Sequence, residues 1–265
     1  ILPPRPGPAR AAASLRTPFA LAWRLHRGPL LGWLIGVAVV GAVFGSIASG
    51  IGDLVGSSPQ AQQIFERLGG SHALTQAFLA AMAGMFAMVA SLYGVQAALR
   101  MRGEETAIRL EPVLATSVGK LRWAGGHLVF AFFGTAALLL VGGLFMGLAN
   151  GLRTGDVGGS IGDTLAGMLV QLPAAWVVVA LAVAIFGLAP AYSAAGWAVG
   201  ALALLLSLFG PVVNLPQAVL DVSPFQHPPK LPGQEFAATP IVWLLVVAVV
   251  ALVAGLAGWR RRDVG

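Results

Sequence analysis

Residues Arg100–Trp123, RMRGEETAIRLEPVLATSVGKLRW, carry the densest charge of an otherwise apolar chain, and their reading decides the fold. Arg100, Arg102, Glu104, Glu105, Arg109, Glu111, Lys120 and Arg122 fall between two apolar segments, each long enough to cross a bilayer. Ionised side chains are costly in hydrocarbon, so this run belongs at or beyond a membrane surface. Glu104–Ala115 is expected to form a short interfacial helix that another surface touches. Ala107, Ile108, Leu110, Val113 and Leu114 make its rough apolar stripe, leaving Glu105, Arg109 and Glu111 for that other surface. Pro112 lacks an amide donor and crowds the preceding turn, which argues against a long regular helix.

The rest of the composition agrees. Of 265 residues, 57% are hydrophobic and 10% charged, with mean hydropathy +0.84. Soluble domains carry about 25% charged residues, so this is a polytopic membrane protein. No cysteine is present, which excludes disulfides and thiolate metal sites. The net charge of +6 does not indicate nucleic acid, because the basic residues flank apolar spans as topology signals do. The first residues, ILPPRPGPAR, are Pro- and Arg-rich with no apolar core, unlike a signal peptide. Residues 1–13 read as a linker, and the absence of an initiating Met raises the expectation of further sequence upstream.

Ser14–Arg27 is amphipathic, with Leu15, Phe19, Ala22, Trp23 and Leu25 against Arg16, Arg24, His26 and Arg27. It is expected to lie in the headgroup layer as an interfacial helix. Six apolar segments follow, at about 30–51, 73–99, 124–148, 164–188, 191–209 and 240–258, each near the length of a helical span. The first holds Gly32, Gly36, Gly41 and Gly45, and the third ends with Gly143, Gly147 and Gly151, spacings that let another helix approach closely. Asp53–Ser71 is a polar connection with a possible short helix at Gln60–Leu68. Gly210–Thr239 is a Pro-rich loop too interrupted to span, with apolar patches suited to the membrane edge. The expected fold is therefore all-α and integral to the membrane, with one transmembrane domain over residues 14–265.

Six spans return both ends and the Arg100–Trp123 loop to one side. That side gathers Arg5, Arg10, Arg16, Arg24, Arg27, Arg100, Arg102, Arg109, Lys120, Arg122 and Arg260 to Arg262. The other side keeps Arg67, Arg153 and Lys230 beside Asp53, Glu66, Asp156, Asp163, Asp221 and Glu235. The positive-inside rule makes the first side cytoplasmic.

Chemistry is sparse. No span holds Asp, Glu, Lys or Arg near its middle, which argues against proton- or ion-coupled transport. Gln96 and Gln171 are the strong polar groups inside; Gln171 is expected to bond to a neighbouring helix, with a ligand as the alternative. Glu104, Glu105 and Arg109 fit E-E-x-x-x-R, which resembles the glutamate motif of Rce1-type intramembrane proteases. The accessory motifs of that family are missing: the residues four before His26, His72, His127 and His227 are Ala22, Leu68, Trp123 and Ser223. Each histidine sits near a span end or in a loop, where a surface or interface role is expected, and none has a zinc-pair spacing. Gly119-Lys120 is not a P-loop, since Leu121 follows and Leu114 stands where the first glycine belongs. If ATP drives this protein, another polypeptide binds it.

The charged stretch also carries a family resemblance. EETAIRLEPVLATSVGKLRW resembles the loop after the second span of ABC-2-type transporter permeases, E-E-x-x-G-x-L-E-x-L-L-A-T-P-V-S-R. Glu104, Glu105, Leu110, Glu111, Leu114, Ala115, Thr116 and Val118 match; Ile108, Ser117 and Gly119 depart. Ser223–Gly233, followed by a last span ending in RRRD, is similar to actinobacterial polyketide-antibiotic (tetronasin-type) exporter permeases. The resemblance implies the C-terminal half of a plasma-membrane permease that exports bulky apolar compounds. It implies a separate ATPase subunit dimer that binds ATP and magnesium, and a second six-span half as partners. It further implies that Glu104, Glu105, Arg109, Leu110, Glu111 and Leu114 form a coupling helix against the ATPase, with Ser14–Arg27 as an elbow helix. Met82, Met85, Phe86, Met88 and Tyr93, with Gln171, are the candidate substrate path, because Met and aromatic side chains repack around varied apolar ligands. Plain helix packing would use the same residues. A non-transporting membrane scaffold remains the other class of reading.

Overall fold

The computed structural model describes residues 17–50 and 70–263, with side chains of the second stretch from Ala73 onward. The linker, the first residues of the amphipathic stretch and the expected helix at Gln60–Leu68 lie outside the described residues. Every regular element among the described residues is helical. The α-helices are α1 (Pro18–Ala48), α2 (Gly70–Thr106), α3 (Glu111–Leu114), α4 (Lys120–Thr154), α5 (Val157–Val170), α6 (Leu172–Leu188), α7 (Ala195–Phe209), α8 (Gln217–Leu220) and α9 (Ala238–Arg261), with short 3-10 turns at Pro190–Tyr192 and Pro224–Gln226.

Helix α6 is the centre. It is apolar all round, and Val178, Val179, Ala180, Ala182 and Val183 are buried among α2, α7 and α9. On the other side of α2, α4 packs against α1 and α5. Helix α1 and helix α9 are peripheral, and turn Ile35, Val39, Val43 and Val242, Val246, Val250 outward. Such faces suit lipid or another helical body.

Small residues set how closely these helices approach. A Cβ on Gly41 would lie 2.8 Å from the Gly142 carbonyl, and one on Gly45 would land on the Met146 carbonyl. Helix α4 meets α5 in the same way, where Cβ atoms on Gly147 and Gly151 would come within 2.6 Å of Ile161 Cα and 2.5 Å of Val157 Cα. The sequence reading overlooked a third seam, α6 against α9, where a Cβ on Gly255 would stand 2.6 Å from the Val183 carbonyl. The expectation for Gly32 and Gly36 is corrected: nothing lies within 4 Å of a Cβ at either position, and they border open space.

Two further expectations change. Of the separate interfacial helix expected at Ser14–Arg27, the described part from Pro18 onward is instead the start of α1, one 31-residue helix running through Pro29. Thr17 caps it by accepting from the Ala20 amide at 3.1 Å. Pro29 removes one amide donor, but packing holds both sides of it in line. His26 is buried and hydrogen-bonded through Nε2 to His127 Nδ1 at 2.9 Å, while Phe19 stacks on Phe130. The single helix expected over Glu104–Ala115 is likewise split. Helix α2 ends at Thr106, Ile108 takes a left-handed φ of 57°, and α3 is one turn long.

Five helical segments are long and apolar enough to cross a membrane: Pro18–Ala48, Ala73–Thr106, Lys120–Thr154, Val157–Leu188 and Ala238–Arg261. The sixth, α7, has 15 residues, or about 22 Å at 1.5 Å per residue, short of a ~30 Å hydrocarbon core. Residues 210–237 continue beyond α7 as a cap folded onto the bundle, with Leu220, Ser223 and Phe225 buried. Counting the short α7, and with α5 and α6 running on in one direction, successive membrane-scale helices alternate in direction, so that α6 and α9 are parallel. The start of α1, the α2–α4 connection, the end of α6 and the end of α9 consequently meet at one end.

Replacing Gly45 by Ala is expected to cost about 1–3 kcal/mol, the usual range for overpacking. Gly36→Ala, facing open space, is expected to be neutral or slightly stabilising. Thermal unfolding of the two purified variants in one detergent measures the difference.

Candidate functional site

The charged end is built by the last turns of α2 and α9 and the first turn of α4. Glu104 accepts from Arg109 Nε at 3.0 Å and lies 3.9 Å from Arg100 Nε. Glu105 pairs with Arg102 at 3.1 Å and with Arg262 of the α9 terminus. Arg262 is the hub. Its Nη1 donates to the Phe186 carbonyl at 3.1 Å, and its guanidinium stands 4.7 Å from the Trp259 ring and 5.2 Å from the Phe186 ring. Trp259 is buried and donates through Nε1 to the Lys120 carbonyl at 3.4 Å, while Lys120 Nζ donates to the Arg262 carbonyl. One clasp thus ties α2, α4, α6 and α9 together.

Glu105 therefore belongs to the clasp and does not sit free on a coupling helix; its carboxylate is 14% exposed and holds two arginines. Glu104, at 12%, is similarly engaged. What projects is the segment after them. Arg109 keeps 62% of its side chain exposed, and Glu111, Ala115, Thr116 and Ser117 are exposed. Leu110, 1% exposed, anchors that segment, with Val113 and Leu114 packed partly beneath it. Ile108 (65% exposed) and Leu121 (45%) add apolar contact surface beside the charges. The E-E-x-x-x-R match is accounted for by these ion pairs.

Within the bundle the candidate path residues separate. Tyr93 is a packing pin: buried against Gly134, it donates to the Phe130 carbonyl at 3.3 Å. Phe86 is buried against Gly142, and Met82 packs on the core. Met85 and Met88 line open space. A cavity of about 620 Å³ between α1 and α2 is bordered by Gly32, Trp33, Gly36, Val37, Phe44 and Met85. In it Trp33 Nε1 donates to Gln96 Oε1 at 3.0 Å. A second cavity, of about 560 Å³, is bordered by Gln76, Met85, Met88, Gln171, Gln226 and Gln234. The helix-to-helix bond expected for Gln171 is absent: its Oε1 is buried without a hydrogen-bond partner among the described residues.

Sequence reasoning missed the Arg262 hub, since Arg260, Arg261 and Arg262 counted only as a charge run. Trp259, three residues before Arg262, was the available signal. It also missed that His26 and His127 pair inside the bundle; His26 lies one turn after Ala22 on the buried face of α1.

Residues 15–260 match the family model of the multidrug efflux system permease Rv1217c, C-terminal domain. The multidrug efflux system permease protein Rv1217c of Mycobacterium tuberculosis (strain ATCC 25618 / H37Rv) is 42% identical over 260 residues. That similarity covers 98% of this chain and 47% of the relative, so the chain spans about half the relative's length.

If the clasp holds the charged end, Glu105→Gln and Arg262→Gln should each destabilise the protein, and the double substitution should cost less than their sum. The expected coupling is about 0.5–3 kcal/mol, read as a double-mutant cycle of thermal unfolding.

Proposed function

The chain belongs to the family of multidrug efflux permease C-terminal domains represented by Rv1217c, and from that premise we propose that it is one transmembrane half of an ATP-driven ABC-2-type exporter. Its cargo is bulky apolar compounds, antibiotics and drugs among them. A second six-span half completes the membrane unit, and a separate ATPase dimer binds ATP and magnesium. In this reading both described ends and the Arg100–Trp123 run face the cytoplasm across the plasma membrane, with α7 and its cap together making one of six crossings.

The observation that carries the proposal is the projecting segment Ile108–Ser117, seated on a clasp that links four helices. An ATPase that moves this segment moves the ends of α2 and α4 directly, and those of α6 and α9 through Arg262 and Trp259. The coupling element is then a one-turn helix with its flanking turns. Glu111 and Arg109 are its outward charges, Ile108 and Leu121 its apolar contacts, and Leu110 and Leu114 its anchors. Glu105 acts behind it by holding the clasp, and Glu104 by holding Arg109. Motion at one end reaches the interior because packed helices shift as bodies, and a central apolar path then faces the two sides of the membrane in turn.

The test uses the full-length permease with its ATPase in inside-out vesicles, following ATP-dependent ethidium uptake and co-purification of the ATPase. Glu111→Arg should abolish both while the permease inserts and melts normally. Losing one partner of a desolvated interfacial charge pair costs about 2 kcal/mol or more, roughly thirtyfold in affinity. Arg153→Glu, at the opposite end of α4, should leave both readouts unchanged. Normal assembly and uptake by Glu111→Arg would remove this segment from the coupling role.

A further inference from the structure

We propose that the cavity around Gln171 is a binding site for apolar molecules bearing a hydroxyl or amide group, and that Gln171 is the residue which reads that group. This rests on the exporter reading and adds to it a site, a ligand chemistry and a roof.

Gln171 lies near the middle of the Val157–Leu188 segment. It is the one turn residue between α5 and α6, keeps right-handed helical dihedrals, and has Pro173 two residues on, whose missing amide donor makes this an irregular turn at mid-depth. Such irregularities are tolerated inside membranes where the backbone is enclosed by protein or lines a cavity. Here the side chain is 3% exposed, and its carbonyl oxygen has no partner among the described residues. A carboxamide buried without hydrogen bonds is unfavourable, and such groups are rare enough to need a cause. The cavity beside it supplies one. Met85 and Met88 from α2 give it a soft apolar wall, while Gln76, Gln226 and Gln234 bring further amides to its rim.

The roof is the Pro-rich segment after α8. Phe225, Pro228 and Pro229 are buried, and a Cβ on Gly167 would lie 2.7 Å from the Leu231 carbonyl. The segment thus rests on α5 one turn above Gln171. An apolar body against the methionines, with one hydroxyl or amide N–H directed at Gln171 Oε1, satisfies the orphaned oxygen. A hydroxyl or an amide both donates and accepts, so it pairs with whichever end of the carboxamide faces the cavity. The first cavity holds no such orphaned oxygen, because Gln96 Oε1 already accepts from Trp33.

The probe is 3-azioctanol, a photoreactive apolar alcohol, applied to membranes containing the full-length permease, with adducts located by mass spectrometry. Wild-type adducts should fall on Gly84–Met88 and around Gln171, and excess 1-octanol should displace them. Gln171→Leu and Gln171→Met should each lower that labelling about threefold to tenfold, the range for losing one hydrogen bond. Labelling by a diazirine octane lacking the hydroxyl should not change. Neither variant should melt at a lower temperature than wild type, since an unpartnered carboxamide gives no stability to lose. Equal labelling in wild type and both variants, or adducts that 1-octanol does not displace, would overturn the proposal. ATP-driven ethidium uptake by the same preparations is scored separately. Uptake without cavity adducts removes this site and leaves the exporter; cavity adducts without uptake keep the site and remove the exporter.

Discussion

The Arg262 guanidinium is the interaction on which the charged end depends. It meets a carboxylate of α2, a carbonyl of α6 and two aromatic rings, at the terminus of the last helix. Four helix ends are fixed at one level by that arrangement and the Trp259–Lys120 contacts beside it. Charge in this chain must collect at the ends of spans, because hydrocarbon will not take it. The clasp makes that requirement structural: Glu105 is neutralised by Arg262 and Arg102, and Glu104 by Arg109 and Arg100, while Glu111 and the exposed part of Arg109 are left outside. The division separates residues that hold the end from residues available to a partner.

Between the ends, apolar side chains give little reason for one helix to prefer another over lipid. Association then rests on close contact, and the glycines of α1, α4, α6 and α9 provide it wherever a Cβ would strike a backbone atom. The packing is uneven. Helix α1 is held tightly along one face, yet at Gly32 and Gly36 it stands away from α2 and leaves a cavity. A second one lies beside Gln171. Open volume beside tightly sewn seams is what a helical bundle needs if it is both to persist and to admit a guest.

The membrane class, the presence of several helices long and apolar enough to span, and the gathering of cations at one end were legible in the sequence, because each depends on composition over twenty or more residues. Most seams were legible too, since Gly41, Gly45, Gly147 and Gly151 recur at helical spacing. What escaped depends on partners distant in sequence or on single backbone angles. Glu105 finds Arg262 across 157 positions, and nothing local marks the pair. Ile108 adopts a left-handed conformation uncommon for a β-branched residue, so Glu104–Ala115 reads as one helix until its turn is seen. Ser14–Arg27 reads as a helix separate from the first span, but from Pro18 on it is continuous with that span and packs on His127 and Phe130. Gln171 was legible as a polar group in a span; that it lacks a partner was not, because that depends on where α2 and the capping segment run.

The account stands or falls on the two ends of the bundle facing opposite sides of a membrane. A chain without cysteine permits a direct measurement: single cysteines at Gly103 and Arg261 at the charged end, and at Gly158 and Asp221 at the other, treated in intact cells with a membrane-impermeant maleimide. The account predicts that positions 158 and 221 react from outside, and that 103 and 261 react only after lysis. Reaction of 103 and 261 from opposite sides, or of 158 only after lysis, would contradict it.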